Sequence, residues 1–476
     1  MSNLPKQILK NTTALMVGRV SHLVGSFVLS YVLARTLSVS GLGIYATIFS
    51  YYSIAAVICS VGIRSYLTRD IARDLSNTNR YMMHAGVLTG GMSLLGNIVF
   101  FLIVSQLHYE PETIQGIIII NWALFPATWG AIYESVFVAH QKAEYLTYTI
   151  LLNLLARIGV SIYLLLTGHG IISLIVVQVV SEYLGFAICT FFLVRYIVKP
   201  HWEFDWAFAR QMLKDLRTFT AIGFLASMFS QVEILLLSLL GGETAVGIYS
   251  AASKLILMWL AIPESYMRAV FPVLTQLYGR APADFRQLVE RSIKYLLAVA
   301  LPLAVGIVAI ADKIVLFFYG DDFTASIPVL RWSALIFIPI FLNEVLWRIL
   351  VARDEQHLAL RTQIAGVLTK AGVSLLAVPF ISYNGTLLAV LVTQAVYTTL
   401  HILYVQRRDK PIPVLRLGWR LALAAVGMGV GAWILGNYTS LWVIIPVAIV
   451  LYGGLVFLFR AFSPDEIAAV RRLVRR

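Results

Sequence analysis

Leu42-Gly43-Ile44-Tyr45 recurs as Val246-Gly247-Ile248-Tyr249, 204 residues further on, and each copy opens an apolar run. Arg157-Ile158-Gly159-Val160-Ser161 recurs as Lys370-Ala371-Gly372-Val373-Ser374 at an offset of 213. At that same offset Pro126 falls on Pro339 and Val138-Ala139 on Val351-Ala352. Gly170 and Gln178 then match Gly385 and Gln394 at offsets of 215 and 216. Glycine, valine and serine are common in membrane helices, so each match alone is weak. Their shared order along the chain is what reads as an internal repeat. It divides the sequence into residues 1–200, residues 201–406, and an addition over 407–476.

The solvent for both halves is lipid. Of 476 residues, 59% are hydrophobic and 13% charged, about half the ~25% usual in soluble domains, and mean hydropathy is +0.82. A soluble fold has too little polar surface here to cover itself. Fourteen apolar segments can be laid out: 13–35, 44–65, 82–107, 114–139, 147–167, 170–195, 218–240, 245–265, 293–311, 327–352, 359–381, 386–405, 419–436 and 442–460. Each is near the roughly 20 residues a membrane helix needs. Links such as Gly168-His169-Gly170 and Gly241-Gly242-Glu243 allow only tight antiparallel hairpins. No segment alternates with period two, which argues against a barrel. The first apolar run, Ala14 to Ala34, is too long for a signal sequence and reads as a retained helix. The expected fold is an all-α polytopic membrane protein of about 14 helices, six in each parallel repeat and two more at the C-terminus.

Charge sets the orientation. Arg69, Arg73 and Arg80 fall in one even-numbered connection, and Lys199, Arg210, Lys214 and Arg217 in the next. Arg280, Arg286 and Arg291 follow, then Arg353, then Arg407, Arg408, Lys410 and Arg416. Odd-numbered connections are nearly free of basic residues: Leu37–Leu42 has no charge, His108–Thr113 has Glu110 and Glu112, and Gly320–Phe323 has Asp321 and Asp322. By the positive-inside rule both termini are cytoplasmic and the number of spans is even. The net charge of +13 is therefore a topology signal and not a nucleic-acid footprint. Cys59 and Cys189 lie in apolar runs, without the spacing of a metal site or a disulfide framework.

With these features the chain resembles the polysaccharide flippases of the multidrug/oligosaccharidyl-lipid/polysaccharide (MOP) exporter superfamily. The resemblance covers nearly the whole length in its 6+6+2 arrangement. Local motifs agree: Gly43/Tyr45 and Gly247/Tyr249, Gly62 followed by Arg64 and Arg69, Phe317-Phe318-Tyr319-Gly320-Asp321-Asp322-Phe323, and Pro379 with Tyr383-Asn384-Gly385. The resemblance implies translocation of undecaprenyl-diphosphate-linked oligosaccharide from the cytoplasmic to the periplasmic leaflet, in the inner membrane, by alternating access between the halves. Partners would be membrane lipids, the lipid-linked anionic oligosaccharide and other polysaccharide-assembly proteins.

Ionisable groups inside spans are costly and mark the candidate path. Arg19, His22, Ser26 and Ser30 form a polar stripe on the first helix, with Arg19 placed either to face the lumen or to snorkel to headgroups. Arg157 and Lys370 are repeat equivalents, and Lys254 is near mid-span. Glu264–Arg268 and Glu344–Arg348 are i,i+4 pairs with the acid first, so Arg268 is either a ligand for substrate or neutralised on its own helix. Glu134, Glu182 and Glu233 have no base four positions away, which leaves charge pairing across the bundle or H+ or Na+ coupling. A cationic lumen suits a diphosphate that cannot cross hydrocarbon unaided. A drug or cation exporter of the same superfamily typically needs carboxylates in the N-lobe cavity, whereas the first helix here carries Arg19 and no acid. A membrane glycosyltransferase or polymerase is the rival from another class; it would need an external acid or catalytic loop, and the longest clear loop, Tyr196–Arg217, is expected to be cytoplasmic. No G-x-x-x-x-G-K-[ST] is present, and no cofactor is expected.

The loop alternation has a direct test. In a background lacking Cys59 and Cys189, single cysteines at Ser40, Thr113 and Asn384 should label from outside with an impermeant thiol reagent. Cysteines at Ser76 and Gln356 should not, and reversal of any pair would break the fourteen-span arrangement.

Overall fold

A computed structural model describes residues 21, 25, 26, 28–60, 62–407, 411–463 and 466. Among them every regular segment is helical and none is a strand. Twelve helices are long and apolar enough to cross a membrane. They are thirteen if Pro111–Asn121 and Leu124–Ala139, bent by 40° to one another, form a single span. The remaining expected span, 13–35, lies mostly outside the described residues. The all-helical, multi-pass architecture read from composition is thus the observed one.

The helices keep a common rhythm. Val39–Ser60 breaks at Gly62 and resumes as Ile63–Arg73; Glu243–Leu257 breaks over Met258–Leu260 and resumes as Ala261–Leu277. Pro111–Asn121 and Leu124–Ala139 are echoed by Ser326–Ser333 and Phe337–Ala352. Gly62 has φ of 65° in the left-handed region, where a β-carbon is strained, so the first break needs this residue type.

Three expectations are corrected. Tyr196–Arg217 is not one loop: residues 197–205 link two helices, and Trp206–Gly241 is continuously helical. Arg69 and Arg73 lie on the Ile63–Arg73 helix and not in a connection. Thr113 is fully buried, which makes it a poor site for external labelling, so Ser40 and Asn384 are the useful outside reporters. Sequence reasoning missed the first because it read the charged stretch as loop. Pro282–Phe318 and Trp206–Gly241, with 37 and 36 residues, are longer than the roughly 30 Å hydrocarbon thickness requires.

By contacts the chain divides into two compact units, Met1–Gly247 and Ile248–Arg476. In the first, Ile63, Leu67, Ile71, Met82, Ile132, Phe137, Leu193 and Leu216 form one buried cluster, and Ile44, Ile48, Tyr51, Ile117, Ile120 and Ile175 another. The 197–205 link is docked by polar contacts: Arg80 Nη2 reaches Asp205 at 3.1 Å, and the Asp205 N–H donates to His84 Nε2 at 2.7 Å. In the second unit Pro282–Phe318 packs against Val414–Gly436, and Gln356–Ile381 pairs with Tyr383–Gln406 across a tight turn at Ser382.

Within Met1–Gly247, a β-carbon on Gly43 would strike the carbonyl of Glu243, and one on Gly247 would strike that of Val39. Backbone cannot yield as a flexible side chain can. Around Gly159 and Gly372, also repeat-matched, there is nothing within 4 Å. Gly43→Ala and Gly247→Ala should each cost about 1–3 kcal/mol or more. Gly159→Ala should be neutral or slightly stabilising through helix propensity. Melting in detergent, followed by fluorescence size exclusion, separates the two classes, and a wild-type melting point for Gly43→Ala would refute the close approach.

Candidate functional site

In Met1–Gly247, the Ala143–Leu166 and Ile171–Tyr196 helices pack together. Gln178 and Glu182 are one turn apart on the second, so they share a face. Arg157 Nη1 donates to Gln178 Oε1 at 2.7 Å, and Gln178 Nε2 donates to Glu182 Oε1 at 2.8 Å. Two expected residues are thereby joined through a glutamine seen in the sequence only as a repeat match. Arg157 is half-buried, and its Nε is buried without a hydrogen-bond partner among the described residues. An unmade bond there costs free energy that an acceptor oxygen would recover. Tyr45 and Tyr52 lie near enough to feel the Arg157 charge, and the Tyr45 ring sits 4.4 Å from Phe49. The group therefore offers a guanidinium, a carboxylate and aromatic faces in one place.

Glu134 is held by Arg64 at 3.0 Å, a cation from the neighbouring Ile63–Arg73 helix that is 63% exposed. Glu233 is half-buried on Trp206–Gly241. Arg19 lies outside the described residues.

In Ile248–Arg476 both i,i+4 pairs form. Arg268 Nη2 pairs with Glu264, and Arg348 Nη2 with Glu344 at 3.1 Å. Their helices, Ala261–Leu277 and Phe337–Ala352, pack together, and Glu344 feels both Glu264 and Arg268. Arg348 is further flanked by the rings of Trp347 and Phe271 at 4.8 and 5.4 Å. The four charges sum to zero, so Arg268 can meet an anionic ligand only in competition with Glu264. Lys370 is 4% exposed on Gln356–Ile381, and Lys254 is half-buried on Glu243–Leu257.

Sequence reasoning missed a buried neutral network in the same unit. Asn343 Nδ2 donates to Thr398 Oγ1 at 2.9 Å, its Oδ1 meets His401 Nδ1 at 3.2 Å, and His401 Nε2 meets Thr362 Oγ1 at 3.1 Å. Gln394, the repeat partner of Gln178, reaches Asn343 at 3.4 Å. Only Gln394 carried a signal, because isolated polar residues on apolar helices have no motif. Among the described residues, no three His, Cys, Asp or Glu side chains are grouped to hold a metal ion.

Residues 32–328 match the family described as polysaccharide biosynthesis protein, and the chain belongs to that family. It is 21% identical to "Probable flippase AglR" of Haloferax volcanii over 443 residues, 90% of this chain and 89% of that protein. It is 24% identical to the teichuronic acid biosynthesis protein TuaB of Bacillus subtilis over 212 residues, 44% of this chain and 43% of that one, less than half of TuaB's length. Among solved structures, the lipid II flippase MurJ in an inward closed conformation superposes with a TM-score of 0.77 at 15% identity, over 95% of this chain and 99% of that one. An inward-facing MATE family multidrug transporter of the MOP superfamily gives 0.68 at 16%, over 84% and 98%. The expected superfamily fold is therefore the observed one. AglR and MurJ are named as flippases and the MATE protein as a transporter, in agreement with the expectation of a membrane transporter.

The two acid–base pairs differ in burial, and so should their energies. Glu344 and Arg348 are 25% and 18% exposed; Glu264 and Arg268 are 51% and 49% exposed. Double-mutant cycles on melting should give coupling of about 1 kcal/mol or more for Glu344–Arg348 and below ~0.5 kcal/mol for Glu264–Arg268. Equal couplings would mean that burial does not rank these pairs.

Proposed function

We propose that this chain is a flippase. It moves an anionic lipid-linked oligosaccharide, undecaprenyl-diphosphate-linked, from the cytoplasmic to the outer leaflet of the inner membrane by alternating access of two six-helix lobes, 1–200 and 201–406. The observation that carries the reading is the pair Arg157 and Lys370. In a chain of the polysaccharide biosynthesis family, one cation recurs at matching repeat positions on membrane-spanning helices. The likeness to AglR and the MurJ-like fold support the same class of cargo.

The chemistry fits. A diphosphate and a hydrated glycan face a prohibitive transfer into hydrocarbon. A cation ~4 Å from a phosphate gains roughly 4 kcal/mol at an effective dielectric of about 20, before desolvation. A quarter of that surviving is about fivefold in binding. In this reading Arg157 meets phosphate oxygens with its fork and the unpartnered Nε, and Lys370 offers a compact charge of its own. Arg19, Lys254 and Arg268 are secondary positive groups, and Glu182 and Glu233 are the acids through which H+ or Na+ coupling would run.

Leaflet exchange of a fluorescent lipid-linked oligosaccharide in liposomes tests this directly. Arg157→Gln and Lys370→Gln should each slow exchange several-fold at unchanged protein level, and Arg157→Lys and Lys370→Arg should be milder. Undiminished exchange by both neutralised variants would remove the cationic path, and absence of exchange by the wild type would remove the function.

A further inference from the structure

We propose that the Ile248–Arg476 unit carries a binding site for the phosphate headgroup of an anionic membrane lipid, at the end of the spans that the charge rule assigns to the cytoplasm. A cavity of about 440 Å³ is lined there by Glu290, Lys294, Arg416, Trp419 and Arg420, among others. Its charges are sorted by their partners. Glu290 is taken by Arg286 at 2.9 Å, and Lys294 by Glu466 at 2.6 Å, so these two pairs cancel. Arg420 gives Nη1 to the Arg460 carbonyl, a neutral acceptor, at 2.9 Å. Among the described residues neither Arg416 nor Arg420 has a carboxylate within 4 Å. Two positive charges thus stand one turn apart on Val414–Gly436, a spacing at which like charges repel, beside a cavity an anion could fill.

Lys294, which lines the cavity, is held from behind by residues outside the lining. The Ser463 N–H donates to Glu466 Oε2 at 2.7 Å, and the Glu466 N–H returns to Ser463 Oγ at 3.3 Å, the reciprocal pattern of a capping box. The same carboxylate oxygen receives Lys294, whose ammonium also lies 4.9 Å from the Phe462 ring centre. Burial pushes the Glu466 carboxyl up, but hydrogen bonds from Lys294 and Ser463, with the Lys294 charge, outweigh it and hold it below the ordinary carboxylate value. Glu466 therefore stays ionised at neutral pH and keeps Lys294 occupied, leaving the arginines as the free positive groups.

What marks the ligand as a lipid is the surface that continues from the cavity. Trp419, Leu423, Val426 and Val430 run along one side of the same helix at 52%, 50%, 52% and 53% exposure. This apolar stripe could take acyl chains while the two guanidiniums hold the phosphate, and Trp419 sits where tryptophan favours the headgroup layer. Basic pockets between membrane helices on the cytoplasmic side recognise anionic headgroups by this combination. The proposal uses neither Arg157 nor Lys370, and it stands whether or not the flippase reading does.

The test is native mass spectrometry of the purified chain with phosphatidylglycerol, phosphatidylcholine and inorganic phosphate as separate titrants. Phosphatidylglycerol should bind more tightly than phosphatidylcholine. Arg416→Gln should weaken it about fivefold and the Arg416→Gln/Arg420→Gln double variant ~25-fold, with phosphatidylcholine unaffected. The charge-keeping Arg416→Lys/Arg420→Lys variant should bind within about twofold of wild type, and it serves as the reading should the glutamine variants fail to fold. Equal binding of the two lipids would overturn the site, as would wild-type affinity in the double variant or loss of affinity in the lysine variant. Inorganic phosphate displacing the lipid at equal concentration would overturn its assignment to a lipid.

Discussion

Two backbone carbonyls set the terms for the rest of the structure. Gly43 lies against the Glu243 carbonyl and Gly247 against that of Val39, so close that no β-carbon fits at either glycine. Without a hydrophobic drive between helices in lipid, small residues that let backbones approach are a principal source of association. All four residues lie within Met1–Gly247. The contact is also reciprocal under the repeat: a shift of 204 carries Val39 to Glu243 and Gly43 to Gly247. The Glu243 side chain adds a polar anchor at this place, since it is buried and accepts a hydrogen bond from Thr113.

The spans were legible because lipid imposes one rule on every residue of a helix: the backbone must satisfy itself and the side chains must be apolar. That rule acts through composition, so the segments at 147–167, 170–195, 359–381 and 386–405 were found within a few residues of Ala143–Leu166, Ile171–Tyr196, Gln356–Ile381 and Tyr383–Gln406. It is silent where helices leave the membrane. Trp206–Arg217 is helical despite its charges, because helix propensity and the Asp205 cap, whose side chain accepts the Ala207 N–H at 2.9 Å, act without regard to hydropathy.

The candidate site was legible by halves. Arg157, Lys370, Glu182 and the i,i+4 pairs were visible because charge inside a span is rare enough to be a signal. Glu134 found its cation, Arg64, on a neighbouring helix, a pairing that no local spacing encodes. The Asn343–His401–Thr362 network was invisible for the opposite reason: neutral polar residues cost little enough in a span to pass as background, yet once buried they need partners.

How a lobe keeps a cation usable beside an acid is settled by what lies between them. A direct Arg–Glu pair in low dielectric would spend both charges on each other, and an incoming anion would have to break it. Gln178 stands between Arg157 and Glu182, accepting from one and donating to the other. It is neutral, so it orients both groups without cancelling either, and the Arg157 Nε keeps an unsatisfied donor. Arg64–Glu134, Glu344–Arg348 and Glu264–Arg268 are the contrary case, in which acid and base meet directly and the charge is consumed. A path for an anion should therefore run past mediated cations and not past paired ones, which ranks Arg157 above Arg268 although both were equally visible as basic residues in apolar runs.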